Sequence, residues 1–135
     1  MKESFKIVVS YAKNLFLGYA PVGRSNSMYM DAMLLSKMAL ETSYIDVDDK
    51  HKYWDCCVKF DDLSVARYIM RSNGLKVSQY YSKSHNGWVL RVRADHVAQD
   101  PCRRLFINTV MDKELGILKE DMYKSHLNIV RQRMK

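Results

Sequence analysis

The stretch "HNGWVLRVRAD", residues 85–95, predicts the turn and the return strand of a β-hairpin, and this strand decides the fold. Its Asn-Gly pair is typical of a tight hairpin turn. Beyond the turn, Trp88, Leu90 and Val92 alternate with two arginines, so that one side of the strand is apolar and the other is basic. This alternation is typical of a strand that packs one face on a core and exposes the other face to water.

Two further alternating stretches predict the partners of this strand. They are "YWDCCVKF", residues 53–60, and "LKVSQYYS", residues 75–82. The residues between them follow helical spacing, with Asp61 or Asp62 as the expected N-cap and Asn73-Gly74 as the expected end. A right-handed crossover between these two strands leaves space for the third strand between them. The prediction is therefore an antiparallel sheet in the order first, third, second, as in half of a ferredoxin-like arrangement.

Helical patterns on both sides of this unit complete an α+β fold class. One helix near the N-terminus is expected to end at Gly18, a Met-rich helix is expected over 27–43, and Asp100 with Pro101 begins a helix after the sheet. The stretch "YIDV", residues 44–47, is a candidate edge strand in an otherwise polar connector. The predicted organisation is a single domain over 1–135, with a helical part at 1–43, a three-stranded β-α-β-β-α core at 53–112 and a basic C-terminal helix at 117–135.

Composition narrows the class of protein. The chain has 47% hydrophobic and 27% charged residues, which is ordinary for a soluble globular domain. Its longest dense apolar patch is too short to cross a bilayer, so no membrane partner is expected. Three cysteines are too few for a disulfide scaffold, and they favour reduced thiols in a cytoplasmic location.

The positive charge is concentrated in the second half of the chain. Residues 61–135 hold 14 Lys and Arg against 8 Asp and Glu, whereas residues 1–60 hold 8 against 7. A field of this sign favours polyanions through steering and counterion release. Nucleic acid and an acidic protein surface are both partners of the right charge.

Four cations and two tyrosines share the predicted outer side of the sheet. Cations contact phosphates and rings stack on bases, so this face predicts binding of single-stranded nucleic acid or structured RNA. The same alternation is also typical of any sheet with one solvated face. The predicted contacts are Lys59, Lys76, Arg91 and Arg93 for phosphates, Tyr53 and Tyr80 for stacking, and Arg103 and Arg104 as auxiliary cations at a helix N-terminus.

Two alternatives come from other classes of function. The Met-rich helix predicts an oligomer seam, or a surface that docks or inhibits an acidic protein, through Met28, Met30, Met33 and Met38. A metal-dependent nuclease would use the acidic connector, with Asp46, Asp48, Asp49 or Asp55 beside Lys59. Their spacing matches no diagnostic metal pattern, and the cysteines and histidines lack zinc spacing. The sequence therefore predicts a non-enzymatic binding protein without a metal or cofactor.

Overall fold

The computed structural model describes residues 26–112 and 118–135 as an α+β structure. The expected first helix and the loop after it fall on residues 1–25, outside the described part of the chain. In order, the elements are α1 (Asn26–Met38), β1 (Glu41–Asp48), β2 (His51–Val58), α2 (Phe60–Ser72), β3 (Val77–Ser82), β4 (Gly87–Arg93), α3 (Ala94–Ala98), α4 (Pro101–Met111) and α5 (Glu120–Arg133).

The four strands form one antiparallel sheet in the order β1-β2-β4-β3. The predicted order of three strands is confirmed, because β4 lies between β2 and β3. The prediction of three strands is corrected to four, since the candidate edge segment belongs to the eight-residue strand β1. A turn closes the β1–β2 hairpin where a connector was expected: the Asp48 carboxylate accepts the backbone N–H groups of Lys50 at 2.8 Å and His51 at 2.9 Å.

The Met-rich helix is shorter than predicted. It ends at Met38, and residues 41–43 of the expected helix belong to β1. Thr42 pairs with Cys56 and Tyr44 with Trp54, so a β-branched and an aromatic side chain lie on a pleated surface where such residues pack well. Tertiary pairing with β2 therefore prevails over the helical pattern at this end.

The ends of α2 agree only in part with the sequence signals. Lys59 is the N-cap and makes no side-chain capping bond, while Asp61 and Asp62 lie inside the first turn, so the predicted aspartate cap is wrong. The two carboxylates still stabilise the helix, because they lie near the positive, N-terminal end of its dipole. At the C-terminus Gly74 takes φ +87°, the N–H of Gly74 donates to Arg71 O, and the N–H of Leu75 donates to Met70 O. This pattern is a Schellman motif and confirms the predicted left-handed end.

The start of α4 is as predicted, whereas the β3–β4 connection is longer. Asp100 accepts the N–H of Cys102 at 2.8 Å and Pro101 begins α4, which confirms that predicted helix start. The β3–β4 connection is a four-residue loop instead of a two-residue turn. Asn86 has φ +49° and Gly87 already belongs to β4.

The core lies between the helices and one face of the sheet. Its fully buried members include Leu34 and Leu35 of α1, Ile69 and Met70 of α2, Leu90 and Val92 of β4, and Phe106 and Val110 of α4. Met38 is also part of this core, at 4% exposure, and Met28, Met30 and Met33 are half-buried against it. Since a partner could not reach Met38, we remove this residue from the predicted oligomer seam.

One buried carboxylate joins three helices. Asp31 of α1 is 1% exposed, and its oxygens lie 2.7 Å from His126 Nε2, 2.6 Å from Arg133 Nη2 and 3.1 Å from Asn73 Nδ2. Burial raises the pKa of Asp31, but the hydrogen bonds from these three side chains outweigh it and leave the pKa below its ordinary value of 3.8. Asp31 therefore anchors α5 and the end of α2 to α1.

Replacing this carboxylate tests the anchor. We expect Asp31→Asn to lower the free energy of unfolding by about 3 kcal/mol, because it leaves buried donors without their charged acceptor. Urea denaturation measures the change. The matched control is Asp95→Asn in an exposed pair with Arg93, where we expect a change within about 0.5 kcal/mol. Equal effects of the two substitutions would contradict the account.

Asp31 also predicts a pH dependence. Because its pKa is lowered in the folded state, its ionisation contributes stability that is complete above the unfolded pKa, about 4. This contribution is lost as the pH falls through the lower folded pKa. The difference in unfolding free energy between the parent chain and Asp31→Asn should therefore shrink between about pH 5 and about pH 2. A difference that stays constant over this range would show that Asp31 ionisation is not linked to folding.

Candidate functional site

Arg91 lies on the sheet face opposite the core and is paired with a buried carboxylate. Asp55 of β2 is directly opposite Arg91 of β4 and is 6% exposed. Arg91 Nε donates to Asp55 Oδ1 at 2.7 Å, and Nη2 donates to Oδ2 at 2.8 Å. This two-point pairing is the strong form of an arginine–carboxylate contact. A phosphate would have to displace Asp55 to reach the guanidinium in the same way.

The two tyrosines of the predicted site complete this network. The centroids of the Tyr53 and Tyr80 rings lie 4.5 and 4.9 Å from Arg91 Cζ. Tyr80 also donates its hydroxyl to Asp55 at 3.0 Å and accepts from Arg91 at 3.1 Å. Burial and the bond to Asp55 raise the pKa of Tyr80, and the bond to Asp55 raises the pKa of Arg91. The two rings were predicted to stack on bases, but in the structure they contact the guanidinium of Arg91.

The other predicted phosphate contacts do not gather into one site. Arg93 pairs with Asp95 at 2.8 Å, with both side chains more than half exposed, so that this pair is weak in water. Lys59 follows Val58, which is opposite Trp88, whereas Lys76 precedes Val77, which is opposite Val92. The two lysines are exposed but lie at opposite ends of the sheet.

The predicted phosphate site at the start of α4 already has an acceptor. The N–H of Cys102, which a phosphate would use, donates to Asp100, and together with the N–H of Arg103 it lowers the pKa of this carboxyl. Arg103 Nε lies 3.5 Å from Asp100, and Nη1 donates to the carbonyl of His96 at 3.1 Å. Arg104 is exposed and makes no ion pair with the residues that the structure describes.

A cavity of about 420 Å³ opens beside Arg103, where the ends of α1, α2, α4 and α5 meet. Its charged lining consists of Asp31, Asp100, Arg103 and Arg133. Each arginine is paired with an aspartate, at 2.6 Å for Arg133 and 3.5 Å for Arg103. The formal charge of the lining is balanced, so this cavity has no marked preference for an anion.

Two acidic residues of the nuclease alternative, Asp48 and Asp55, make other contacts. Asp48 closes the β1–β2 turn and lies 2.8 Å from His51 Nδ1, and Asp55 is held by Arg91. Asp46 is opposite Lys52 in the β1–β2 ladder. Within residues 26–112 and 118–135, no group of three or more His, Cys, Asp or Glu side chains is arranged to hold a metal ion.

Several cations have no carboxylate partner among the described residues, and four of them lie on α2 or beside the ends of β3. Residues 63–94 contain six Lys and Arg and no Asp or Glu, and two of the six are Arg91 and Arg93. The other four, which we call the α2–β3 strip, make no ion pair with any carboxylate in the described part of the chain. They are Arg67, Arg71, Lys76 and Lys83.

The strip follows β3 from one end to the other. Lys76 immediately precedes this strand and Lys83 immediately follows it. Arg67 of α2 donates to the neutral Gln79 side chain of β3 at 2.5 Å, so it lies beside the middle of the strand with a neutral partner. Arg71 lies one helical turn further along α2. Only Lys76 was among the predicted contacts. The long run without acidic residues was the signal for the others.

Comparison of the chain with known protein families, with curated proteins and with solved structures finds no match in any of the three. Among the described residues, no helix combines the length and the apolar character that crossing a membrane requires.

The Arg91 network has a measurable effect on stability. We expect Arg91→Ala to lower the free energy of unfolding by about 2 kcal/mol, because it leaves the Asp55 carboxylate buried without its charged partner. Arg93→Ala, which removes the same charge from an exposed pair, should change it by less than about 0.5 kcal/mol. Thermal or urea denaturation compares the two variants. If Arg93→Ala were the more destabilising, the assignment of Arg91 as a structural group would be wrong.

Proposed function

We propose that this protein is a non-enzymatic binding protein whose partner is nucleic acid, either single-stranded or structured. The observation that supports this most is the α2–β3 strip, with four cations and no acidic residue in the segment that carries them. The net charge of +7 adds a general attraction for polyanions. The proposal keeps the predicted class of partner and moves the binding surface from the face of the sheet to its β3 edge.

The shape of the strip suits a nucleic-acid backbone. Lys76 and Lys83 are seven residues apart along an extended strand, which corresponds to about 23 Å. Arg67 lies between them, beside Gln79. A row of positive charges at intervals matches a chain of phosphates, and binding releases the counterions that the phosphates had condensed. A phosphate gains little binding free energy in this way from a cation that a carboxylate already neutralises, such as Arg91.

Some of the remaining predicted contact residues can still take part in binding, and others are excluded from it. Lys59 and Arg93 are exposed at the ends of the sheet and can add outer contacts, as can Arg104. Arg103, Tyr53 and Tyr80 are engaged with neighbouring side chains and are left out. An acidic protein would meet the same charges and is a partner that the binding measurements distinguish from nucleic acid.

Charge removal along the strip tests the proposal. We expect the triple variant Arg67→Gln, Lys76→Gln, Lys83→Gln to weaken binding of a single-stranded oligonucleotide of about 16 nucleotides. The slope of log K against log salt should become shallower by about 0.7 for each phosphate that the variant no longer neutralises. Fluorescence anisotropy at two or more salt concentrations measures both quantities.

The matched control is the triple variant Lys50→Gln, Lys124→Gln, Lys135→Gln, which removes the same charge from exposed positions elsewhere. These positions lie in the β1–β2 turn, in α5 and after α5. We expect the control to bind almost as the parent chain does. Equal losses of affinity in the two triple variants would overturn the strip as the binding surface. Absence of binding by the parent chain would overturn nucleic acid as the partner.

An assembly function is a second candidate, favoured by the exposed edge strand β1. Tyr44 is 44% and Val47 is 66% exposed on this strand, and exposed apolar edges pair readily with another strand. A bulge between Asp46 and Asp48 opposes such pairing. Sedimentation of the same samples measures the mass. A dimer that fails to bind the oligonucleotide would favour assembly over nucleic-acid binding.

A further inference from the structure

We propose that three aromatic rings at one end of the sheet form a platform on which unpaired bases of a bound nucleic acid stack. The platform consists of Phe60, Tyr81 and Trp88. This inference rests on the proposed function, and it names the part of the partner that this surface recognises. Sequence reasoning placed Phe60 and Trp88 on the core side of the sheet and did not consider them for binding.

The three rings are contiguous. Trp88 of β4 lies opposite Val58 of β2 and opposite Tyr81 of β3, so that the row crosses the sheet where α2 begins. The Trp88 ring centroid is 5.7 Å from that of Tyr81 and 6.5 Å from that of Phe60. The interplanar angles are 74° and 45°, so the rings are not stacked face to face on one another.

Trp88 is half-buried and packs against the core, but the core does not explain Phe60 and Tyr81. Phe60 is 71% exposed and Tyr81 is 50% exposed, whereas Phe106 is completely buried. Phe60 also occupies the first position of α2, where a large apolar ring has no capping role. Large exposed rings that adjoin one another mark interaction surfaces more often than isolated exposed residues do.

Two exposed lysines beside the platform, one of them in the α2–β3 strip, are the reason for proposing nucleic acid as the occupant. Lys59 precedes Phe60, Lys83 lies two residues beyond Tyr81, and both are exposed without a carboxylate partner in the described ranges. Lys83 also belongs to the α2–β3 strip, so the platform continues the row of phosphate contacts. Three acidic residues lie at this end of the sheet as well. Asp61 and Asp62 are on the first turn of α2, where they interact favourably with the helix dipole, and Glu41 lies 3.4 Å from His85 Nε2. Rings beside a row of cations provide both contacts that a single strand needs.

Tryptophan fluorescence detects stacking directly. The chain has two tryptophans, Trp54 and Trp88, so the variant Trp54→Phe leaves Trp88 as the single reporter. We expect oligodeoxythymidylate of about 16 nucleotides to quench the Trp88 emission. Inorganic polyphosphate should bind the same cations without quenching it, because it has no bases. Quenching by both ligands, or by neither while both bind, would overturn the platform.

Substitution of the exposed ring gives the second measurement. Phe60→Ala should weaken oligodeoxythymidylate binding by roughly 5- to 100-fold and leave polyphosphate binding unchanged. Val47→Ala removes an equally exposed apolar side chain from β1 and serves as the matched control.

The outcomes separate the platform from the proposed function. If the oligonucleotide binds with strong salt dependence but Phe60→Ala has no effect, the platform is overturned and nucleic-acid binding remains. If the parent chain does not bind the oligonucleotide, both are overturned. If Phe60→Ala instead converts a dimer to a monomer, the rings belong to a protein interface and the platform is again overturned.

Discussion

The pairing of Asp55 with Arg91 links the central strands of the sheet and removes one cation from those available to a ligand. Asp55 is buried in β2, and a buried carboxylate is costly unless a cation and hydrogen bonds satisfy it. Arg91 of β4 and Tyr80 of β3 provide these contacts, so that one network links the three strands β2, β4 and β3. The cation that looks most suitable for a ligand is thereby part of the structure that holds the sheet together.

The helical layer uses the same device. Asp31 is buried on α1 and receives hydrogen bonds from His126 and Arg133 of α5 and from Asn73 after α2. Lys37 at the other end of α1 donates to the carbonyl of Leu118 at 2.9 Å, so that α1 and α5 are joined at both ends and run antiparallel. Arg91 and Arg133 thus stabilise the fold. The cations of the α2–β3 strip have no carboxylate partner among the described residues and lie in a segment without acidic residues, which is the physical basis for proposing a ligand at the β3 edge.

Local signals in the sequence predicted several parts of this architecture. The order of β2, β4 and β3 followed from three alternating stretches and the handedness of one crossover, and Asn73-Gly74 and Asp100-Pro101 marked helix ends by their own chemistry. The strand β1 was largely missed because its turn depends on one aspartate in a stretch that is polar throughout. Helix α1 was extended too far because Leu40 continues the apolar pattern after the chain has left the helix.

The candidate site was harder to predict, because it depends on which cations are paired with carboxylates in the folded chain. Asp55 and Arg91 are 36 residues apart, and their contact depends on the exact register of β2 against β4, which alternation alone leaves open. Tyr53 and Tyr80 stood on the expected face, yet they contact Arg91. The exposed rings at the end of the sheet were missed because the strand pattern of β2 was continued through Phe60, which already belongs to a helix.

The most direct test of the central claim is the position of the ligand on the domain. Backbone amide chemical shifts, followed by NMR while a single-stranded oligonucleotide is added, report this position residue by residue. The account predicts that the largest changes occur along α2 and β3, at Arg67, Lys76 and Lys83. Changes centred on Tyr53, Asp55 and Arg91, with the β3 edge unaffected, would contradict it.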